Sequence, residues 1–235
     1  TIDAYNEILS RLYGTEIALY NWSYPPFCLL LFAPLSLLGY FPALAAWTVL
    51  GLVAILACYY RGLPSSCRGP LQALWLLLSP AVIVCVVTGQ NGLLTGALSL
   101  AALLLLDKRP ILAGICIGLL AIKPQLALLW PFFLLAQGRW RSILAAAVTV
   151  ALLVYAAYAV YGIEVWEGFF HYTLPFQQRF MSDPFTGRIF QYMVITLPFA
   201  LKIWGVAYAP AMLLQAVIGV AVILLVMIAA CRGMP

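Results

Sequence analysis

Charge is what this sequence has least of. Asp, Glu, Lys and Arg make up 8% of its 235 residues, where about 25% is usual in a soluble domain. Hydrophobic residues reach 66%, against roughly 45–50% in an ordinary globular chain. So few charges cannot cover the outside of a soluble fold. The same deficit excludes a disordered chain, a coiled coil and a disulfide-stapled secreted module. The outer surface faces lipid.

The other scarcities narrow the chemistry. Seven acidic residues are present, Asp3, Glu7, Glu16, Asp107, Glu164, Glu167 and Asp183. None lies inside an apolar run, which argues against a proton-relay transporter with carboxylates at membrane depth. His171 is the only histidine, so the sequence supports no metal cluster. Six cysteines are scattered without a CxxC spacing; five lie in apolar stretches and read as small buried hydrophobes, and no framework of disulfides is seen. HExxH, GxSxG and phosphate-loop motifs do not occur. No cofactor is expected.

The twelve basic residues leave a net charge of +5. They sit at the ends of apolar runs and form no patch, so nucleic acid is not an expected partner. Membrane topology accounts for them better, because Lys and Arg collect in cytoplasmic loops. The chain opens on Thr1 in a polar stretch, without Met or a leader, and stops at Pro235 after a long apolar run. It reads as a piece of a longer membrane protein.

The expected architecture is all-α, a single polytopic membrane domain over 1–235. Residues 1–23 form an amphipathic segment at the membrane surface, with Ile2, Tyr5, Ile8, Leu9, Leu12 and Tyr13 at helical spacing. Membrane helices follow over 24–161, a polar loop over 162–188, and further membrane helices over 189–235. With Arg61–Arg68, Asp107–Arg109, Gly138–Arg141 and Arg232 on one side, an even number of crossings separates neighbouring basic loops. Leu71–Val87 and Gly92–Leu106 then form a hairpin turning at Gly89-Gln90-Asn91. Ile111–Ala136 goes over and back with its bend at Lys123-Pro124-Gln125. Phe27–Leu38 and Ile189–Trp204 are left as re-entrant or interfacial, since a crossing needs about 20 residues.

This layout gathers 1–23, Gln90, Asn91, Lys123, Gln125 and 162–188 in one compartment. Lys123 is the most informative, stranded between two apolar runs beside a proline that forbids a continuous helix. Broken backbone at that depth is tolerated where it is buried in protein or lines a wet cavity. A lysine there suits a phosphate or carboxylate, and a snorkelling interfacial lysine is the plainer alternative. Gln90 and Asn91 either satisfy their own turn or bind a sugar or head group. The segment 162–188 brings Arg179, Arg188 and His171 among aromatics, either a carbohydrate or lipid-phosphate surface or an aromatic belt.

In chain order, Tyr24-Pro25-Pro26, Thr88-Gly89-Gln90-Asn91-Gly92, Ala113-Gly114 with Gly118 and Ala121-Ile122-Lys123-Pro124-Gln125, then Gly138-Arg139-Trp140-Arg141 resemble glycosyltransferase family 87 of the GT-C superfamily, formerly domain of unknown function 2029. The resemblance is clearest over about residues 20–145. It implies a GT-C-like bundle with broken helices and an extracytoplasmic cavity, in a bacterial plasma membrane. It implies transfer of a hexose, mannose being the best-known case, from a polyprenyl-phosphate donor to a lipid or glycan acceptor. The family's presumed base, an Asp just after the first membrane helix, has no match here and is expected upstream of residue 1. Lys123, Arg179 and Arg188 are then the expected donor-phosphate ligands, with Gln90, Asn91, Gln125 and His171 bonding sugar or phosphate. A transporter or lipid flippase, or a scaffold subunit, is the competing expectation.

Overall fold

The structure, a computed structural model, describes residues 23–62, 64–65, 68–182 and 196–232. The expected surface segment 1–23 therefore falls outside the described residues except for Ser23, and Arg188 falls outside them too. All regular structure among the described residues is helical.

Prolines and glycines set the helix ends. Pro25 and Pro26 lead into α1 (Cys28–Phe32), which tightens into a 3₁₀ turn over Ala33–Leu38 and stops at Gly39 with φ 70°. Helix α2 (Tyr40–Gly62) follows. Leu71–Val87, expected as one limb of a hairpin, is instead two helices, α3 (Pro70–Leu77) and α4 (Pro80–Thr88), bent by 54°. The reason is local. Pro80 has no N–H to continue the ladder, and Ser79 starts the new helix by accepting the Val82 N–H at 3.4 Å. Gly89, left-handed at φ 66°, ends α4 and turns the chain into α5 (Gly92–Leu105).

Helix α6 (Pro110–Leu119) runs through a 3₁₀ turn at Leu120–Ile122 to Lys123, where the backbone leaves helical dihedrals at φ −122°, ψ 86°. Two short helices, α7 (Pro124–Ala127) and α8 (Trp130–Ala136), return. The long α9 (Trp140–Tyr161) ends at Gly162. Past it, the region expected as a loop is helical over Glu164–Ser182: α10 (Glu164–Gly168), a π turn at Phe169–Thr173 and α11 (Leu174–Ser182). The expectation of a loop followed its polar composition, which sets it apart from the apolar runs but does not exclude an amphipathic helix. Helices α12 (Leu197–Ile203) and α13 (Tyr208–Cys231) complete the described chain.

Among the described residues, three helices, α2, α9 and α13, are long and apolar enough to cross a membrane, or four spans if bent α3–α4 counts as one. Seven-residue α12 and the short α1 with its 3₁₀ turn are too short to cross a hydrocarbon core of about 30 Å.

Close approaches fix which way each helix points. A Cβ on Gly51 would meet Leu93, and one on Gly62 would meet Leu104, so α2 and α5 run parallel. A Cβ on Gly114 would fall 2.4 Å from the Ser142 carbonyl oxygen, and one on Gly118 would fall 2.6 Å from Thr149 Cβ. Helices α6 and α9 therefore also run parallel, in contact through a small-xxx-small stripe that lets backbones approach. The Ser142 hydroxyl donates to the Pro110 carbonyl at 2.9 Å. Ala102, Leu106, Ala113, Ile117 and Leu134 form one buried cluster, which makes α5 antiparallel to α6 and brings α8 back alongside. The Cys231 thiol reaches the Ala136 carbonyl at 3.7 Å, setting the C-terminal end of α13 beside that of α8. Arg61, Asp107–Arg109, Arg139–Arg141 and Arg232 thus share one end of the bundle. Tyr24, Asn91, Lys123 and Trp166 share the other.

Candidate functional site

At the lysine end, a second buried cluster of Phe27, Cys28, Ile122 and Ala157 forms a floor, with Tyr24 and Trp166 packed on it. The Cys28 thiol points at the Ile122 carbonyl, 4.0 Å away. This ties α1 to the residue before Lys123 across 94 positions of sequence. Lys123 is half-buried, and the Cys85 thiol of α4 is its electrostatic neighbour. Cys85 in turn lies against Gly92, where an added Cβ would come 2.7 Å from its sulfur. The helical break at Lys123 and the turn at Asn91 are therefore adjacent.

Asn91 is 3% exposed. It lies near enough to Tyr24 to favour the phenolate, but neither Oδ1 nor Nδ2 has a hydrogen-bonding partner. Proximity without the right orientation does not make a hydrogen bond, and the amide is unsatisfied. Burial pushes the Tyr24 phenol above its ordinary value, the Cys28 thiol adds to the rise, and Asn91 offsets part of it. A buried, unpaired amide costs about 1–3 kcal/mol, and such groups call for a reason. The Trp166 indole N–H is a second polar atom buried without a partner. Its ring packs on Phe27 at 6.4 Å and stacks on Phe170 at 6.3 Å. No carboxylate pairs with Lys123 among the described residues. A primary amine, an amide and an indole N–H, all donors and none with an acid partner, suit a ligand rich in oxygen and negative charge.

The remaining expected ligands are placed less tightly. Gln90 and Gln125 adjoin Asn91 and Lys123 in sequence and are exposed. The Gln90 N–H donates to the Cys85 carbonyl at 3.1 Å, which fixes the turn. Arg179 is exposed on α11. That helix is held to this end by Gln177, whose Nε2 donates to the Ser23 carbonyl at 3.1 Å across 154 positions. His171 is exposed on the π turn. No described contact joins Arg179 or His171 to Lys123. Trp166 was expected only as one of the aromatics of 162–188, either a ligand surface or an aromatic belt, and Tyr24 only as part of the Tyr-Pro-Pro motif. Their placement depends on contacts with residues far away in sequence, which no local pattern announces.

Two open hollows lie at the opposite end of the bundle from Lys123. They are open clefts of about 310 and 370 Å³, lined by Arg109, Arg139, Trp140 and Arg141 among others. Helix α6 separates them from Lys123 by about 20 Å at 1.5 Å per residue. At the lysine end, Phe27, Tyr24 and Trp166 pack together where α1 meets the start of α10.

Among the described residues, no group of three or more His, Cys, Asp or Glu side chains could hold a metal ion. The described acids are Asp107, bound to Arg139 at the arginine end, and Glu164 and Glu167, exposed on α10.

Against known proteins, the model of glycosyltransferase family 87 matches residues 22–235. No curated protein and no solved structure matches.

Proposed function

This chain belongs to glycosyltransferase family 87, and from that premise we propose that it transfers a hexose from a polyprenyl-phosphate donor at the lysine end of the bundle. The family makes it a membrane glycosyltransferase rather than a transporter, flippase or scaffold. The finer reading concerns donor, acceptor, face and residues. Lys123 meets the donor phosphate. Asn91 and the Trp166 indole bond its oxygens or the sugar hydroxyls, while Gln90, Gln125 and His171 line the approach. Arg179 closes over the phosphate from the α11 side, and Arg188, outside the described residues, is the other arginine proposed to meet it. The acceptor is a lipid or glycan on the extracytoplasmic face, and mannose is the first sugar to try. The membrane is a bacterial plasma membrane, crossed several times.

The observation that carries this reading is the pairing of a half-buried lysine lacking an acid partner with a 97%-buried unsatisfied amide beside it. Departure of a lipid phosphate develops negative charge on its oxygens, and fixed donors stabilise that charge without reorganising. The acceptor hydroxyl must also lose a proton to a carboxylate, and no described residue is assigned that role.

The test is transfer from a radiolabelled polyprenyl-phosphate sugar in membranes carrying the protein. Lys123→Ala, at equal expression, is expected to abolish product formation, with partial recovery in Lys123→Arg. Full activity in the alanine variant would remove Lys123 from the site. A panel of donor sugars, run with the parent protein, identifies the hexose.

A further inference from the structure

The arginine end holds a feature that sugar transfer at the lysine end does not use. Arg109 and Arg141 line the same open cleft with Pro110, Ile111 and Leu112. The adjoining cleft shares Pro110 and Arg141 and adds Arg139 and Trp140. These arginines differ in their partners. Arg139 is consumed internally: it pairs with Asp107, donates to the Leu106 carbonyl at 3.4 Å and to Gln137 Oε1 at 3.3 Å. Its task is to close the loop between α5 and α6 against the start of α9. The Arg109 and Arg141 side chains are exposed, and neither guanidinium has a hydrogen-bonding or ion-pairing partner among the described residues. Asp107, the described acid at this end, is already committed to Arg139.

The cleft walls are as informative as the charges. Ile111 is 59% exposed and Trp140 66%, and the cleft containing Ile111 and Leu112 is almost wholly apolar between its two arginines. An apolar wall ending in two free guanidinium groups matches a molecule with an anionic head and a hydrocarbon body. A soluble phosphate would use the arginines and leave the wall idle. Guanidinium groups bind phosphate oxygens in a fork, two N–H donors to two acceptors, and an indole at the level of the head groups suits Trp140.

We propose that the cleft between the starts of α6 and α9 binds an anionic phospholipid of the leaflet at this end of the bundle. Arg109 and Arg141 grip the phosphate, and Ile111, Leu112 and Trp140 hold the upper acyl chain. The site is independent of the sugar-transfer reading, and its test requires no turnover.

The full chain is reconstituted in phosphatidylcholine bilayers containing a minority of phosphatidylglycerol, with either lipid carrying a spin label. The immobilised fraction of each label is then compared. Phosphatidylglycerol is expected to be retained in preference to phosphatidylcholine. Arg109→Gln with Arg141→Gln is expected to abolish that preference, leaving the two labelled lipids immobilised to the same extent. All these side chains are exposed, so the fold is spared. Arg61→Gln with Arg232→Gln removes equal charge from the same end and is expected to leave most of the preference intact. Equal loss in both pairs would overturn the proposal in favour of diffuse surface attraction. Displacement of the labelled lipid by inorganic phosphate at unchanged ionic strength would overturn it in favour of a site for free phosphate.

Discussion

The two ends of the bundle carry cations in opposite settings. At the arginine end, Arg139 is met by a carboxylate and two oxygen acceptors supplied by the chain itself. At the lysine end, Lys123 is half-buried where a helix breaks, beside an amide that is almost wholly buried and unsatisfied. A protein that only needed its cations solvated or neutralised would treat both alike. The contrast teaches where to look for a ligand: polar atoms left unmatched inside packed structure call for a reason, and on the proposed function that reason is the sugar donor. Exposed cations at loop ends are explained by topology and by lipid.

The sharpest way to break this contrast is to remove one cation from each end. Lys123→Met is expected to lower the transfer rate by about 10²–10³-fold, the usual loss when one preorganised charge-stabilising donor goes. Arg61→Met at the far end is expected to leave the rate within error. Rates measured in matched membranes decide it, and equal effects would erase the distinction between the ends. A second comparison concerns the frame holding the ends apart. Gly114→Ala places a methyl group against the Ser142 backbone and is expected to destabilise by about 1–3 kcal/mol through overpacking. Gly96→Ala, whose nearest neighbour would be Ile55 Cδ1 at 3.8 Å, is expected to be tolerated, with thermal unfolding in detergent as the readout.

Asn91→Leu sharpens the comparison further. If the amide serves a ligand, its loss is expected to cost about ten-fold in transfer while stability holds or rises, because a buried unsatisfied group has been replaced by an apolar one. A large fall in stability with unchanged transfer would make Asn91 structural. The smallest effect is expected from Arg139→Gln, which breaks a pair whose Asp107 side chain is 79% exposed. Exposed pairs contribute roughly 0–1 kcal/mol, so unfolding should shift little, and less at high salt.

Much of the frame was legible because it is encoded locally. Gly89 and Pro124 announce a turn and a break, and both occur at those positions. The hairpin bending at Lys123 could be read from two apolar runs flanking Lys-Pro-Gln. The alternation of basic loops predicted their common end, since parity depends only on counting crossings. What failed was also local in origin. The bend at Ser79-Pro80 was passed over because the run stays apolar through it, and the helix over Glu164–Ser182 was masked by mixed polarity. Tyr24 stood out only as part of a Tyr-Pro-Pro motif and Trp166 only as one aromatic among several in 162–188. Their roles depend on Phe27 and Asn91, which are distant in sequence, and helices apolar on every face carry no stripe to say which neighbour they meet.

Composition and the order of residues, then, determined the solvent of this protein, the places where its helices start and break, and the end to which each cation belongs. Those are properties of short segments and of the transfer energy of side chains into lipid. Which polar atoms were left unmatched, and which hollows stayed open, was decided only when the helices packed. Close approach at Gly114 and Gly118 sets the spacing of α6 and α9, and the cluster around Ile122 sets what closes over Asn91 and Lys123. Satisfaction of a buried group is a property of its three-dimensional neighbours, and no single segment contains it.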